Sequence, residues 1–127
     1  MKRIYILVFL LFFLTACGQH VTEEDLIGGI WVATAGYKDG EAKGEPNCFP
    51  LEEGNKFKNG DTVYNATFDR DFEYWLYEYK GNHEIHFEDS NPGEYNYQIK
   101  KISDDEIVLQ GLDYSTSKGR ACYLERK

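Results

Sequence analysis

Basic and chemistry-bearing residues are scarce in this chain of 127 residues. It has three histidines, three cysteines, three prolines, one methionine, and 14 lysines and arginines against 22 acidic residues. With no basic stripe and an acidic excess, nucleic acid and anionic polymers are excluded as partners, because the surface field repels polyanions. No glycine-rich phosphate loop and no serine in a nucleophile elbow is present, and no catalytic constellation can be assembled from the motifs, so an enzyme is not expected. No cofactor is expected either. Only one long apolar run exists, Ile4 to Leu14, broken by nothing more polar than Tyr5. It falls short of the roughly 20 residues that span a bilayer as a helix, and it suits the about 7–15 residues of a signal-peptide core.

Lys2 and Arg3 stand before that run, and Leu14-Thr15-Ala16-Cys17-Gly18 closes it. These residues resemble the bacterial lipoprotein lipobox, a branched apolar residue and two small ones before an obligatory cysteine. The resemblance implies diacylglycerol on the Cys17 thiol, cleavage between Ala16 and Cys17, and anchoring at the extracytoplasmic face of a cell membrane. Two acyl chains anchor stably at about 0.8 kcal/mol per buried methylene, so no transmembrane segment is needed. Gly18 is not the aspartate that retains lipoproteins in a Gram-negative inner membrane. A Gram-positive surface is preferred to the periplasmic side of an outer membrane.

The expected organisation is a removed leader (residues 1–16), a lipidated tether (17–25) and one domain (26–127). Removing Lys2 and Arg3 from the 14 basic residues leaves 12 against 22 acidic ones, a formal net charge of −10. Such a surface favours basic protein partners. With Cys17 taken by lipid, Cys48 and Cys122 remain in an oxidising compartment, and their even number implies one disulfide; two free thiols are the alternative.

Thr22-Glu23-Glu24-Asp25 reads as the N-cap and first turn of a short helix. From Ile30 onward, β-branched and aromatic residues dominate and turn signals recur about every ten residues. Strands are expected over Ile30–Tyr37, Thr62–Phe68, Phe72–Lys80, His83–Asp89, Glu94–Lys100, Glu106–Tyr114 and Arg120–Arg126. Between the first two, Asp39–Pro46 reads as a loop, Cys48–Leu51 as a brief extended piece and Glu52–Lys58 as irregular. Turns are expected at Asn59-Gly60, Asp69-Arg70-Asp71, Gly81-Asn82, Asn91-Pro92-Gly93, Ser103-Asp104-Asp105 and Ser115–Lys118. Seven or eight consecutive antiparallel strands imply an all-β fold, an up-and-down barrel that leaves no open edge.

Asp25-Leu26-Ile27-Gly28-Gly29-Ile30-Trp31, a short helix entering a Gly-x-Trp strand, is similar to the opening of lipocalin-like barrels. Tyr95-x-Tyr97-x-Ile99 through Leu109 and the closing Tyr123-Leu124-Glu125-Arg126 resemble the last strands of small lipocalin-like bacterial lipoproteins. The resemblance implies that Trp31 plugs the closed end of the barrel and that Arg126, or less favourably Arg120, covers its ring. A chain this short puts a roomy cavity in doubt, since a small barrel can be filled by its own side chains.

Four further features bear on chemistry or binding. Glu84, His86 and Glu88 share a strand face opposite Ile85 and Phe87 and are expected to meet water, while His83 points the other way, so no metal site is assigned. Asp69-x-Asp71-x-Glu73 lacks the glycine and the distal glutamate of a calcium loop and reads as a solvated turn. Asn65-Ala66-Thr67 matches a glycosylation sequon that a bacterial lipoprotein would seldom use. In Phe72–Tyr79, aromatics occupy both faces: with Phe72, Tyr74 and Leu76 inward, Trp75, Tyr77 and Tyr79 form an outward contact surface, and the alternatives are the swapped arrangement or loops that cover the second face. The expected function is that of a lipid-anchored, non-enzymatic binding module, for a small apolar molecule or an envelope protein. The alternative is a protective lipoprotein, an immunity, exclusion or hydrolase-inhibitor factor, directed at a basic protein.

Overall fold

The computed structural model describes residues 20–91 and 93–127. The leader, the cleavage position, Cys17 and Pro92 of the Asn91–Gly93 turn lie outside the described residues. A four-residue helix, α1 (Glu23–Leu26), precedes ten strands: β1 (Trp31–Ala35), β2 (Tyr37–Lys38), β3 (Glu41–Ala42), β4 (Asn55–Phe57), β5 (Thr62–Asn65), β6 (Arg70–Tyr79), β7 (Asn82–Asp89), β8 (Gly93–Ser103), β9 (Glu106–Gly111) and β10 (Ala121–Arg126). Eight of them close an antiparallel barrel in the order β1-β10-β9-β8-β7-β6-β5-β4. β2 and β3 form a separate hairpin. The fold is all-β, a closed barrel of the lipocalin-like kind.

Apolar alternation drives the long strands β6, β7 and β8. On β6, Phe72 and Tyr74 are buried while Asp71, Glu73 and Trp75 are not; on β7, Ile85 and Phe87 face the core; on β8, Tyr97 and Ile99 do. These aromatics fill the barrel. Phe57 meets Tyr74 edge-on at 4.8 Å and Phe87 at 6.3 Å, and Phe72 stacks on Tyr95 at 6.0 Å.

Packing begins before the expected domain start. Val21 is buried in the core, and the Thr22 N–H donates to Asp25 Oδ2 at 2.9 Å, so among the described residues packing reaches back into the expected tether. Trp31 is 1 % exposed, and its indole N–H donates to the Leu26 carbonyl at 2.9 Å, which joins α1 to the closed end of the barrel. The Arg126 guanidinium lies 4.4 Å from the Trp31 ring centre. Gly29, at φ +67°, sits where a β-carbon would stand 2.7 Å from the Arg126 side chain, so a glycine is required for the arginine to lie down. Arg120 is not a second cover: it is at the other end of the barrel, donating to the Phe49 carbonyl at 3.0 Å.

That other end is stoppered by the segment between β3 and β4. Cys48 and Leu51 are fully buried, and Cys48 is bonded to Cys122 of β10. Asn65 is also fully buried; its amide donates to the Pro50 carbonyl and to Asn55 Oδ1, and its Oδ1 accepts from the Phe68 N–H at 2.9 Å. The sequon asparagine is thus a structural clasp with no free amide.

Several element boundaries differ from the sequence reading. Residues 52–58, read as irregular, contain β4, which closes the barrel through a single pairing of Trp31 with Asn55 and full pairing with β5. The Asp39–Pro46 loop contains half of the β2-β3 hairpin, turned on Asp39-Gly40. The β6-β7 turn is Lys80-Gly81, one residue earlier than expected, because a two-residue turn of the favoured hand needs positive φ at both positions and these residues supply 50° and 81°. β6 starts at Arg70, inside the expected turn, and β9 ends at Gly111 instead of Tyr114. A β-carbon on Gly111 would stand 1.6 Å from the Ser117 carbonyl oxygen, so the chain after β9 folds tightly back on it.

Candidate interaction face

Because β6, β7 and β8 are neighbours in register, their outward residues line up in rows. Thr62 of β5 pairs with Glu73, Glu73 with Glu88, and Glu88 with Glu94. The next row is Trp75, His86 and Asn96, and the one after it Tyr77, Glu84 and Gln98. Trp75, Tyr77 and Tyr79 point outward and are 44 %, 38 % and 45 % exposed, so the arrangement with Phe72, Tyr74 and Leu76 inward is the one adopted. The Trp75 and His86 rings lie 5.2 Å apart.

Glu84 corrects the expectation that its strand face simply meets water. It is 1 % exposed, although it points out of the barrel. The segment after β9 covers it: Ser115 Oγ donates to the Leu112 carbonyl at 3.1 Å, and the Tyr114 hydroxyl donates to Glu84 Oε1. Tyr114 also meets Tyr79 edge-on at 5.9 Å and, at 62 % exposed, extends the aromatic stripe to a fourth ring. Removal from water, reinforced by the Glu84 carboxylate, raises the pKa of Tyr77 and that of Tyr114. Both phenols stay neutral hydrogen-bond donors at physiological pH.

The acidic row beside the stripe lies along a groove of about 490 Å3 lined by Thr62, Asp71, Glu73, Glu88 and Glu94, among others. Nearby cations are engaged: Lys58 pairs with Asp71 at 2.9 Å, and Arg70 Nε donates to Asp89 at 2.8 Å. Asp69 accepts from the Tyr64 hydroxyl and Asp71 pairs with Lys58; of the Asp69-x-Asp71-x-Glu73 stretch read as a turn, only Asp69 is in the turn, while Asp71 and Glu73 lie on β6. His83 is not part of this face. It lies on the inward side of β7, against His20 at 4.8 Å.

Aromatic rings with polar tips next to a row of carboxylates recognise cationic side chains in two ways: the rings take an ammonium or guanidinium over their faces, and the carboxylates accept its hydrogen bonds. The stripe from Trp75 to Tyr79 was legible from strand periodicity. Tyr114, Glu73 and Glu94 were not, since register and loop folding bring them in and no local pattern announces either. Comparison of the chain with protein-family models, with curated proteins and with solved structures gave no match.

Proposed function

We propose that this chain is a lipid-anchored envelope lipoprotein that works as a non-enzymatic interaction module, binding a basic protein through the outer face of β6-β8. The observation that carries the reading is the exposed stripe Trp75, Tyr77, Tyr79 and Tyr114 set beside the in-register carboxylates Glu73, Glu88 and Glu94. The barrel interior is taken up by its own aromatic side chains, which favours a protein partner on the outside over a small apolar molecule within. The acidic row favours the protective role, in which the lipoprotein blocks a basic hydrolase or transfer component arriving at the membrane. Lipid on Cys17 would hold the barrel there against the repulsion between its own charge and anionic lipid.

Capture from envelope extracts tests the reading. The parent protein should retain a basic protein, and the Trp75→Ala/Tyr79→Ala variant should bind it at least about tenfold more weakly, as loss of central aromatic anchors does. Ile102→Ala removes an equally exposed apolar residue outside the face and should leave binding unchanged. Added salt should slow association with the parent. Equal capture by the Trp75/Tyr79 variant would refute the assignment of the face. Cys17→Ser should release the protein from the membrane fraction; retention there would refute the anchor.

A further inference from the structure

His86, Glu88 and Glu94 bring one imidazole nitrogen and two carboxylate oxygens within 4.8 Å of one another. His86 Nε2 is 3.8 Å from Glu88 Oε2, and Glu94 stands directly opposite Glu88 on β8. This is not the trio suggested by the β7 face alone, because Glu84 is sealed under Tyr114. Two further observations bear on it. The His86 Nδ1 atom is hydrogen-bonded to Asn96 Oδ1 while Nε2 faces Glu88, so the Asn96 carbonyl is placed to accept from Nδ1–H in the tautomer that leaves Nε2 for a metal. A carbonyl oxygen on the far nitrogen is how metal-bound imidazoles are commonly held. In addition, Glu73, Glu88 and Glu94 stand opposite one another on three adjacent strands, where like charges repel, while Lys58 and Arg70 are committed to Asp71 and Asp89.

We infer that His86, Glu88 and Glu94 bind a divalent transition metal of the zinc class, with Asn96 as the residue that orients the imidazole. One nitrogen and two carboxylate oxygens are a three-ligand set for tetrahedral zinc, which leaves a fourth position for water. Bonds of about 2.0–2.2 Å require the ligand atoms to approach from their present separations to roughly 3.4 Å. Glu88 and Glu94 are exposed and Glu88 is 46 % accessible, so rotation of their carboxylates supplies the closure without moving the strands. The ion would neutralise the acidic row and lie next to the Trp75 ring. The site stands independently of the proposed partner.

Calorimetry with zinc chloride on chelator-stripped, tag-free protein in detergent tests the inference. One zinc per chain should bind saturably. His86→Ala should abolish the binding, Glu94→Gln should weaken it at least tenfold, and Asn96→Ala should weaken it by about tenfold or more, as loss of an outer-shell partner does. His83→Ala should leave it unchanged. Trp75 fluorescence should change along the same isotherm, and Trp75→Phe should remove that signal and keep the heat. Unchanged thermal midpoints would show that the variants remain folded. No saturable heat in the parent, heat that survives His86→Ala, or heat lost in His83→Ala would each overturn the site.

Discussion

Arg126 holds together the end of the barrel where Trp31 is buried. Its guanidinium covers Trp31 and donates to the carbonyls of Asp25, Ile27, Gly28 and Asp104, so one residue ties β10 to α1 and to the β8-β9 turn. A hydrogen bond to a charged group contributes about 1.5–3 kcal/mol net and a cation–π contact about 0.5–2 kcal/mol, and the terms overlap. Arg126→Ala should therefore destabilise the domain by about 2–4 kcal/mol, a fall in thermal midpoint of roughly 10 °C or more, read by circular dichroism. Arg126→Lys should recover only a small part, because an ammonium keeps the charge but cannot reproduce the planar fork. Trp31 was legible as a plug from its Gly-x-Trp setting, and Arg126 from the resemblance that setting carried. Glu84 was misread for a physical reason: alternation says which way a side chain points, and only the chain that folds over it says whether it reaches water.

At the scale of elements, the barrel depends on its weakest seam. β4 has three residues and meets β1 at one pair, so closure relies on the stopper behind it, the segment from Asn47 to Gly54 held by Cys48–Cys122 and by Asn65. The disulfide spans 74 positions, and closing a loop of that length stabilises by about 4–5 kcal/mol in the chain-entropy model. The Cys48→Ser/Cys122→Ser variant should lose about 2–5 kcal/mol in denaturant unfolding while keeping its β-sheet circular dichroism, and limited proteolysis should cut first within residues 47–54. An unchanged unfolding midpoint would show that the hydrogen bonds of Asn65 hold the stopper by themselves. The long hairpins β6-β7 and β8-β9 were legible because their alternation runs over many residues. β4 was not, since Asn-Lys-Phe offers too short a pattern and its asparagine is buried for a polar clasp.

For the molecule as a whole, charge sets the pH range of stability. Burial by itself would raise the pKa of Asp25, but the Thr22 N–H and Lys101, whose Nζ is 3.0 Å away, outweigh it and hold the carboxyl below its ordinary 3.8. Arg70 does the same for Asp89. Both folded values lie below the unfolded ones, so this stabilisation is complete above about pH 4 and is lost as pH falls through the lowered values. Tyr74, buried among Phe57, Phe72 and Phe87 and near Glu23 and Asp61, is pushed up to about 12. Its contribution is complete below pH 10 and is lost between 10 and about 12. Thermal midpoints should thus be level from about pH 5 to 9 and fall on both sides. Asp89→Asn should lower the plateau and flatten the acid limb, as followed by circular dichroism across pH.

The sequence by itself determined the β class, the inward aromatic sets, the outward placement open to Trp75, Tyr77 and Tyr79, and the pair of cysteines available for a disulfide. All of these follow from alternation, composition and counting along one strand at a time. Tertiary structure decided what stands beside what: the Glu73-Glu88-Glu94 row, Glu84 under Tyr114, His86 with Glu94 and Asn96, and the clasp of Asn65 on Pro50. Strand register and loop closure set those neighbours, and a shift of one residue in register would reverse every face, so they belong to the closed barrel and to no segment of it.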